Sequence, residues 1–218
     1  VRSLKGFVEL MTPIVKSYGS DKGYEVTVSA IQTFGGYGFI GEYPVEQTAR
    51  DTKIASIYEG TNGIQAMDLL GRKMTKGQGV LFMNWMARTQ EELEAVRAID
   101  SLSPLVSAID KARDGLGASA MHLGGLGMAG NRTGAMAHAC NFLNQFGNVV
   151  LAVYHARAAG IAAKKLAAGA LSEAETQRMK GKIINLQFYV HNVLPESIAL
   201  GKIIRSGDAS CMDEAAFA

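Results

Sequence analysis

The stretch Ile57-Tyr58-Glu59-Gly60-Thr61-Asn62 governs the reading of this chain. The glycine after the glutamate marks a short turn. Beyond it Thr61 or Asn62 can N-cap a helix running to about Met74, because its side-chain oxygen accepts an orphan backbone N–H. Ile57 and Tyr58 set apolar groups on one side of the Glu59 carboxylate. A carboxylate with apolar neighbours loses hydration and becomes a better base when a substrate closes over it. Taken in isolation, the same six residues also read as a solvated turn glutamate ahead of a capped helix.

The residues upstream decide between these readings. Gln32-Thr33-Phe34-Gly35-Gly36-Tyr37-Gly38 comes first, then Glu42-Tyr43-Pro44-Val45-Glu46, then Arg50-Asp51-Thr52-Lys53-Ile54. This ordered series resembles the C-terminal catalytic segment of the flavin-dependent acyl-CoA dehydrogenases, across roughly residues 1–74. A matched set of site motifs says more about function than likeness of fold.

The resemblance implies α,β-desaturation of an acyl-CoA thioester, as in fatty-acid β-oxidation, with FAD as hydride acceptor. It makes Glu59 the catalytic base for the α-proton and places Tyr58 and Gly60 on the substrate side. One oxyanion donor would be the Glu59 backbone N–H and the other a flavin ribityl hydroxyl. Gln32, Thr33, Phe34, Gly35 and Gly36 match a stretch that touches the diphosphate-adenosine part of FAD, typically in a neighbouring subunit. Exposed N–H groups where a helix runs out, with one side-chain amide, suit anionic oxygens in any case. Thr61, Asn62 and Gly63 match a second flavin-contact tripeptide. Many relatives carry glutamine where this chain has Gly63, which leaves only a backbone contact there. An acyl-CoA substrate, an electron-transfer flavoprotein as acceptor and a homo-oligomer are the partners so implied.

Composition narrows the remaining classes. With 218 residues, 48% hydrophobic and 19% charged, the chain has core enough for one large domain or two small ones. A net charge of +2 gives no footprint for nucleic acid. That counts against a DNA-binding relative of the alkylation-response kind, while a non-catalytic helical assembly module stays as the other alternative. Cys140 and Cys211 form no ligand spacing, so neither a disulfide scaffold nor a zinc site is expected, which fits a reducing cytoplasm. No apolar run reaches the length of a membrane span and no signal-peptide core is present, so no membrane association is expected. The start Val-Arg-Ser, without methionine, reads as part of a longer protein.

Apolar residues recur at helical spacing nearly everywhere, and no stretch alternates with period two, which predicts an all-α fold. Leu4, Phe7, Val8, Met11, Ile14 and Val15 form one face of a first helix ending near Tyr18-Gly19. Ser20 or Asp21 then caps a second, through Val26, Val28 and Ile31 to about Phe34. Gly35 to Gly41 is a loop, and Pro44 suits the first turn of a third helix to about Ile57. Thr75-Lys76-Gly77-Gln78-Gly79 is the best boundary, so 1–74 is expected as the end of the dehydrogenase helical domain and 75–218 as an added four-helix bundle.

In the bundle, Phe82, Met86, Thr89, Leu93 and Val96 make a seam on its first helix. The second follows Ser103-Pro104 to about Gly130, and the third carries Phe142, Phe146, Val149, Val153, Ala156 and Gly160. A fourth opens at Ser172 with a capping box to Glu175 and kinks at Pro195. This half resembles the extra helical domain that some bacterial acyl-CoA dehydrogenases append.

Gly36–Gly41 and Gly125–Gly130 both fit GxGxxG, but neither follows a strand, so no Rossmann site is expected. For the second, close helix packing or a loose helix end suffices. His122, His138, His155 and His191 stand at no metal-ligand spacing and read as surface or packing residues. Trp85 and the methionines read as core.

Overall fold

The computed structural model describes residues 2–217, and among them every regular element is helical. The first long helix, α1, runs Arg2–Phe34 without a break. The helices expected either side of Tyr18-Gly19 are therefore one. Leu10, Met11, Ile14 and Tyr18 are buried at helical spacing, so the apolar stripe passes straight through the supposed end. Gly19 costs about 1 kcal/mol of helix propensity, and burial of that stripe outweighs it. Ser20 and Asp21 cap nothing; both lie inside the helix.

A 3₁₀ turn, Gly35–Gly38, closes α1. Gly38 has to be glycine, because a Cβ there would lie 2.4 Å from the Ile31 carbonyl oxygen. Helix α2, Val45–Lys53, starts just after Pro44 as expected and runs on into a 3₁₀ turn, Ile54–Ser56. Helix α3, Asn62–Asp68, continues into a π-helical turn, Leu69–Lys73. Both α2 and α3 pack on α1, burying Ala49, Ala66 and Leu69 against its stripe. Lys76 Nζ, 2.7 Å from Glu9 Oε1, ties the following link back to α1 and holds the Glu9 carboxyl below the usual range. The chain divides into two compact units between Leu81 and Phe82.

The second unit is built on α4 (Val80–Arg97), α5 (Ser103–Met128), α7 (Ala139–Ala168) and the pair α8 (Glu173–Asn192) and α9 (Pro195–Ser206). Together they make the expected four-helix bundle, with α7 packed on α5, α8 and α9. Phe142, Phe146, Val149, Ala156 and Ala162 of α7 are all fully buried. Trp85 of α4 meets Phe146 edge to face at 4.7 Å, which places it in the core. Arg113 of α5 is buried and donates to the Met86 carbonyl (2.7 Å) and to Gln90 Oε1 (2.6 Å), joining α5 to α4.

The capping box forms: Ser172 Oγ accepts from the Glu175 N–H, and Glu175 Oε2 accepts from the Ser172 N–H. Pro195 divides the last leg instead of kinking it. The N–H groups of Val193 and Leu194 both turn back to the Tyr189 carbonyl, and Pro195 then opens a new helix where a missing N–H costs nothing. A short helix, α6 (Arg132–Met136), was not expected; Asn131 caps it by accepting from the Gly134 N–H. No atom lies within 4 Å of a Cβ built on Gly124, Gly125, Gly127 or Gly130, and Gly130 has φ +82°. The second GxGxxG is thus a loose helix end, not a close helix contact.

Candidate functional site

The Glu59 turn joins the 3₁₀ end of α2 to α3. Its own hydrogen bonds run from the Ile57 and Tyr58 N–H groups to the Ile54 carbonyl (2.9 and 3.1 Å), and the Glu59 N–H is not among the donors they use. Glu59 then takes φ +54° and Gly60 φ +86°. Two successive left-handed residues reverse the chain. For Gly60 this costs little, but for a residue with a Cβ the left-handed region is unfavourable by about 1–2 kcal/mol. Strain of this kind persists only where the surroundings over-determine it.

Three sets of contacts provide that determination. Thr61 is the N-cap of α3, its Oγ1 accepting from the Ile64 N–H at 3.3 Å. Gln65 Nε2 donates back to the Glu59 carbonyl at 3.2 Å. The third set comes from α1. Lys16 Nζ donates to the Gly60 carbonyl at 2.6 Å and to Asn62 Oδ1 at 2.9 Å. Asn62 Nδ2 in turn donates to Asp21 Oδ1 (2.7 Å), Ser20 Oγ (2.9 Å) and the Ser17 carbonyl (3.3 Å).

Lys16, Ser20 and Asp21 escaped the sequence reading, which used the last two as caps. The available signal was a polar stripe: Ser17, Ser20, Asp21 and Tyr24 continue the helical face that Leu10 and Ile14 begin. A buried face turning polar needs polar partners.

The carboxylate of Glu59 is exposed, and so are Ile57 (54%) and Tyr58 (52%). The apolar shield expected from those two neighbours is not closed over Glu59 within this unit. What the unit does supply is a groove of about 490 Å³, with Glu59 and Gly60 at the turn, Ile64 and Met67 along α3, and Arg72 at the far end. An accessible carboxylate beside an apolar wall, on a turn whose N–H has no acceptor among the described residues, can accept a proton while that N–H donates to a neighbouring oxyanion.

The stretch Gln32 to Gly36 sits at the C-terminal end of α1 and in the turn after it, with all five residues exposed. Nothing stands within 4 Å of a Cβ built on Gly35 or Gly36, so a ligand can approach their backbone. Thr33 Oγ1 donates to the Ser29 carbonyl of its own helix (2.9 Å). Tyr43 steadies the loop, with ring centroids 5.2 Å from Tyr37 and 6.4 Å from Phe34. This group is about 16 Å of helix beyond Asp21 at 1.5 Å per residue. It shares no hydrogen bond with the Glu59 turn among the described residues. Asn62 is brought to α1, so its side-chain amide is already engaged, while Gly63 lies half-buried behind the cap. No group of three or more histidine, cysteine, aspartate or glutamate side chains that could hold a metal ion occurs among the described residues. Nor is any helix there long and apolar enough to cross a membrane.

Comparison with known proteins matches both units. A family model described as acyl-CoA dehydrogenase, C-terminal domain, covers residues 6–74. One described as acetyl-CoA dehydrogenase C-terminal like covers residues 82–214. A broad-specificity linear acyl-CoA dehydrogenase of Mycobacterium tuberculosis is 32% identical over 96% of this chain and 35% of its own length. A butyryl-CoA dehydrogenase of Syntrophomonas wolfei is 33% identical over 94% of this chain and 33% of its own length. A 3-methylmercaptopropionyl-CoA dehydrogenase of Ruegeria pomeroyi is 32% identical, over 94% and 34% respectively. The chain spans about a third of the length of these curated relatives.

Proposed function

The chain belongs to the acyl-CoA dehydrogenase family, and on that premise we propose that it carries the catalytic base of an enzyme desaturating an acyl-CoA thioester between Cα and Cβ. The observation that carries this reading is the Glu59 turn: an accessible carboxylate held in a strained conformation by hydrogen bonds from α1 and α3. In the reaction Glu59 takes the α-proton. The unused Glu59 N–H donates to the thioester oxygen as negative charge develops there. Holding base and donor on one residue fixes both relative to the same substrate carbon, which lowers the entropic part of the barrier.

The residues present fit FAD at Gln32 to Gly36, where open glycine backbone and a side-chain amide meet solvent, and at the backbone of Thr61 to Gly63. FAD, when bound, supplies the acceptor for the β-hydride. Tyr58 and Gly60 flank the base on the substrate side. Residues 1–74 are read as the catalytic end of the dehydrogenase domain and 75–218 as the added bundle. The same reading makes an electron-transfer flavoprotein the acceptor, a second copy of the chain the neighbour served by the 32–36 stretch, and the cytoplasm the location.

Glu59→Gln in the FAD-loaded enzyme containing this chain is the test. The amide keeps the shape and the backbone donor but accepts no proton. Flavin reduction by an acyl-CoA, followed by stopped-flow bleaching, is expected to slow by roughly two to four powers of ten with FAD still bound. Near-normal reduction would place the base elsewhere.

A further inference from the structure

The hydrogen bonds between α1 and the Glu59 turn centre on one ammonium and one amide. Lys16 is half-buried, and its ammonium reaches across 44 residues of sequence to a backbone carbonyl at 2.6 Å. That carbonyl belongs to Gly60, the residue after Glu59 and the second of the two in left-handed conformation. The same ammonium meets Asn62 Oδ1, and Asn62 spends its donors on Asp21, Ser20 and Ser17. The Lys16 ammonium thus grips the Gly60 carbonyl directly, and the Asn62 side chain ties the residues just after it to Ser17, Ser20 and Asp21 of α1. Charge-assisted hydrogen bonds of this kind are about twice as strong as neutral ones.

We propose that Lys16 is a positioning residue for the α-proton abstraction, acting through the Gly60 carbonyl to hold the Glu59 carboxylate and N–H in their working geometry, with Asn62 and Asp21 fixing Lys16 in turn. This rests on Glu59 being the base. Left-handed φ at Glu59 is not its resting preference, so taking Lys16 away from the contacts that hold the turn lets it move partway toward a relaxed form. Relaxation swings the Glu59 Cα–Cβ bond and its N–H together, and a misplacement of about 1 Å costs on the order of a hundredfold in rate. Ile64 and Met67 on α3 and the rest of the groove keep their places, so substrate binding should change little. The signature is thus a loss in the chemical step with little change in affinity.

The experiment uses the FAD-loaded enzyme with Lys16→Met, Lys16→Gln, Lys16→Ala, Glu59→Gln and the Lys16→Met/Glu59→Gln pair. FAD content, melting temperature, the limiting rate of flavin reduction and the acyl-CoA dissociation constant are measured for each. Lys16→Met should lower the limiting rate about 10- to 100-fold while the dissociation constant stays within about threefold and FAD remains stoichiometric. Ethylamine should restore part of the rate of Lys16→Ala. In the Glu59→Gln background Lys16→Met should cost clearly less than in the wild type, since the carboxylate it positions is gone and only the backbone donor is left to misplace. An undiminished rate in Lys16→Met, or an equal loss in the Glu59→Gln background, overturns the proposal. Loss of FAD or of cooperative melting in both Lys16→Met and Lys16→Gln makes Lys16 a folding residue and also overturns it. Normal flavin reduction by Glu59→Gln alone has a different signature: it removes the underlying reading of the base, and this inference with it.

Discussion

Glu59 occupies a backbone conformation that its side chain disfavours, and this separates its proposed role in chemistry from its effect on stability. At φ +54° a glycine would sit without the Cβ penalty. Glu59→Gly is therefore expected to hold or raise stability by about 0.5–1 kcal/mol while abolishing flavin reduction. Chemical denaturation of wild type and variant measures the first, and stopped-flow bleaching the second. A loss of more than about 1 kcal/mol would mean that the carboxylate also holds the fold. The turn, the cap at Thr61 and the carboxylate were all legible in six consecutive residues. Lys16 and Asp21 were not: the polar stripe on α1 asks for polar partners, but hydrogen bonds spanning 44 and 41 residues leave nothing local to say which.

At the scale of elements, a histidine packed between two helices of the second unit is expected to make its stability depend on pH. His155 of α7 packs its ring 4.8 Å from that of Tyr189 on α8, whose hydroxyl donates to the Asn148 carbonyl at 3.0 Å. Burial, and then the charge of Lys182, lower the His155 pKa below its ordinary 6.5. A depressed histidine binds its proton more weakly folded than unfolded. Its contribution to stability is thus full above about pH 6.5 and is lost as pH falls toward the folded value. Melting temperatures taken from pH 7.5 to 5 should fall more steeply for wild type than for His155→Phe. Parallel curves would show that His155 is not the group. Glu175, held low by the Ser172 hydroxyl and N–H, contributes in a more acidic window, below the ordinary carboxylate pKa of 4.5. The elements that sequence reading missed have local causes: apolar spacing runs through Gly19 and joins α1, whereas Pro195 ends one helix and starts another.

For the whole molecule, the bundle should fold without the first unit. Its buried side chains, Phe142, Phe146, Leu186 and Ile204 among them, all come from residues 82 onward, as do the contacts joining them. Residues 82–218 expressed alone should give a helical circular dichroism spectrum and a single cooperative melt. A gradual, non-cooperative melt would show that the unit depends on residues outside it. By itself the sequence determined the helical class, the family and the turn that carries Glu59. Apolar periodicity and turn residues act over a few positions, and the motifs shared with the family are contiguous. Only the tertiary structure decided that Asn62 spends its amide on α1 and that Lys16 stands behind the Glu59 turn. Each of these depends on which polar face of a helix meets which turn, and that is settled by packing between segments far apart in the chain.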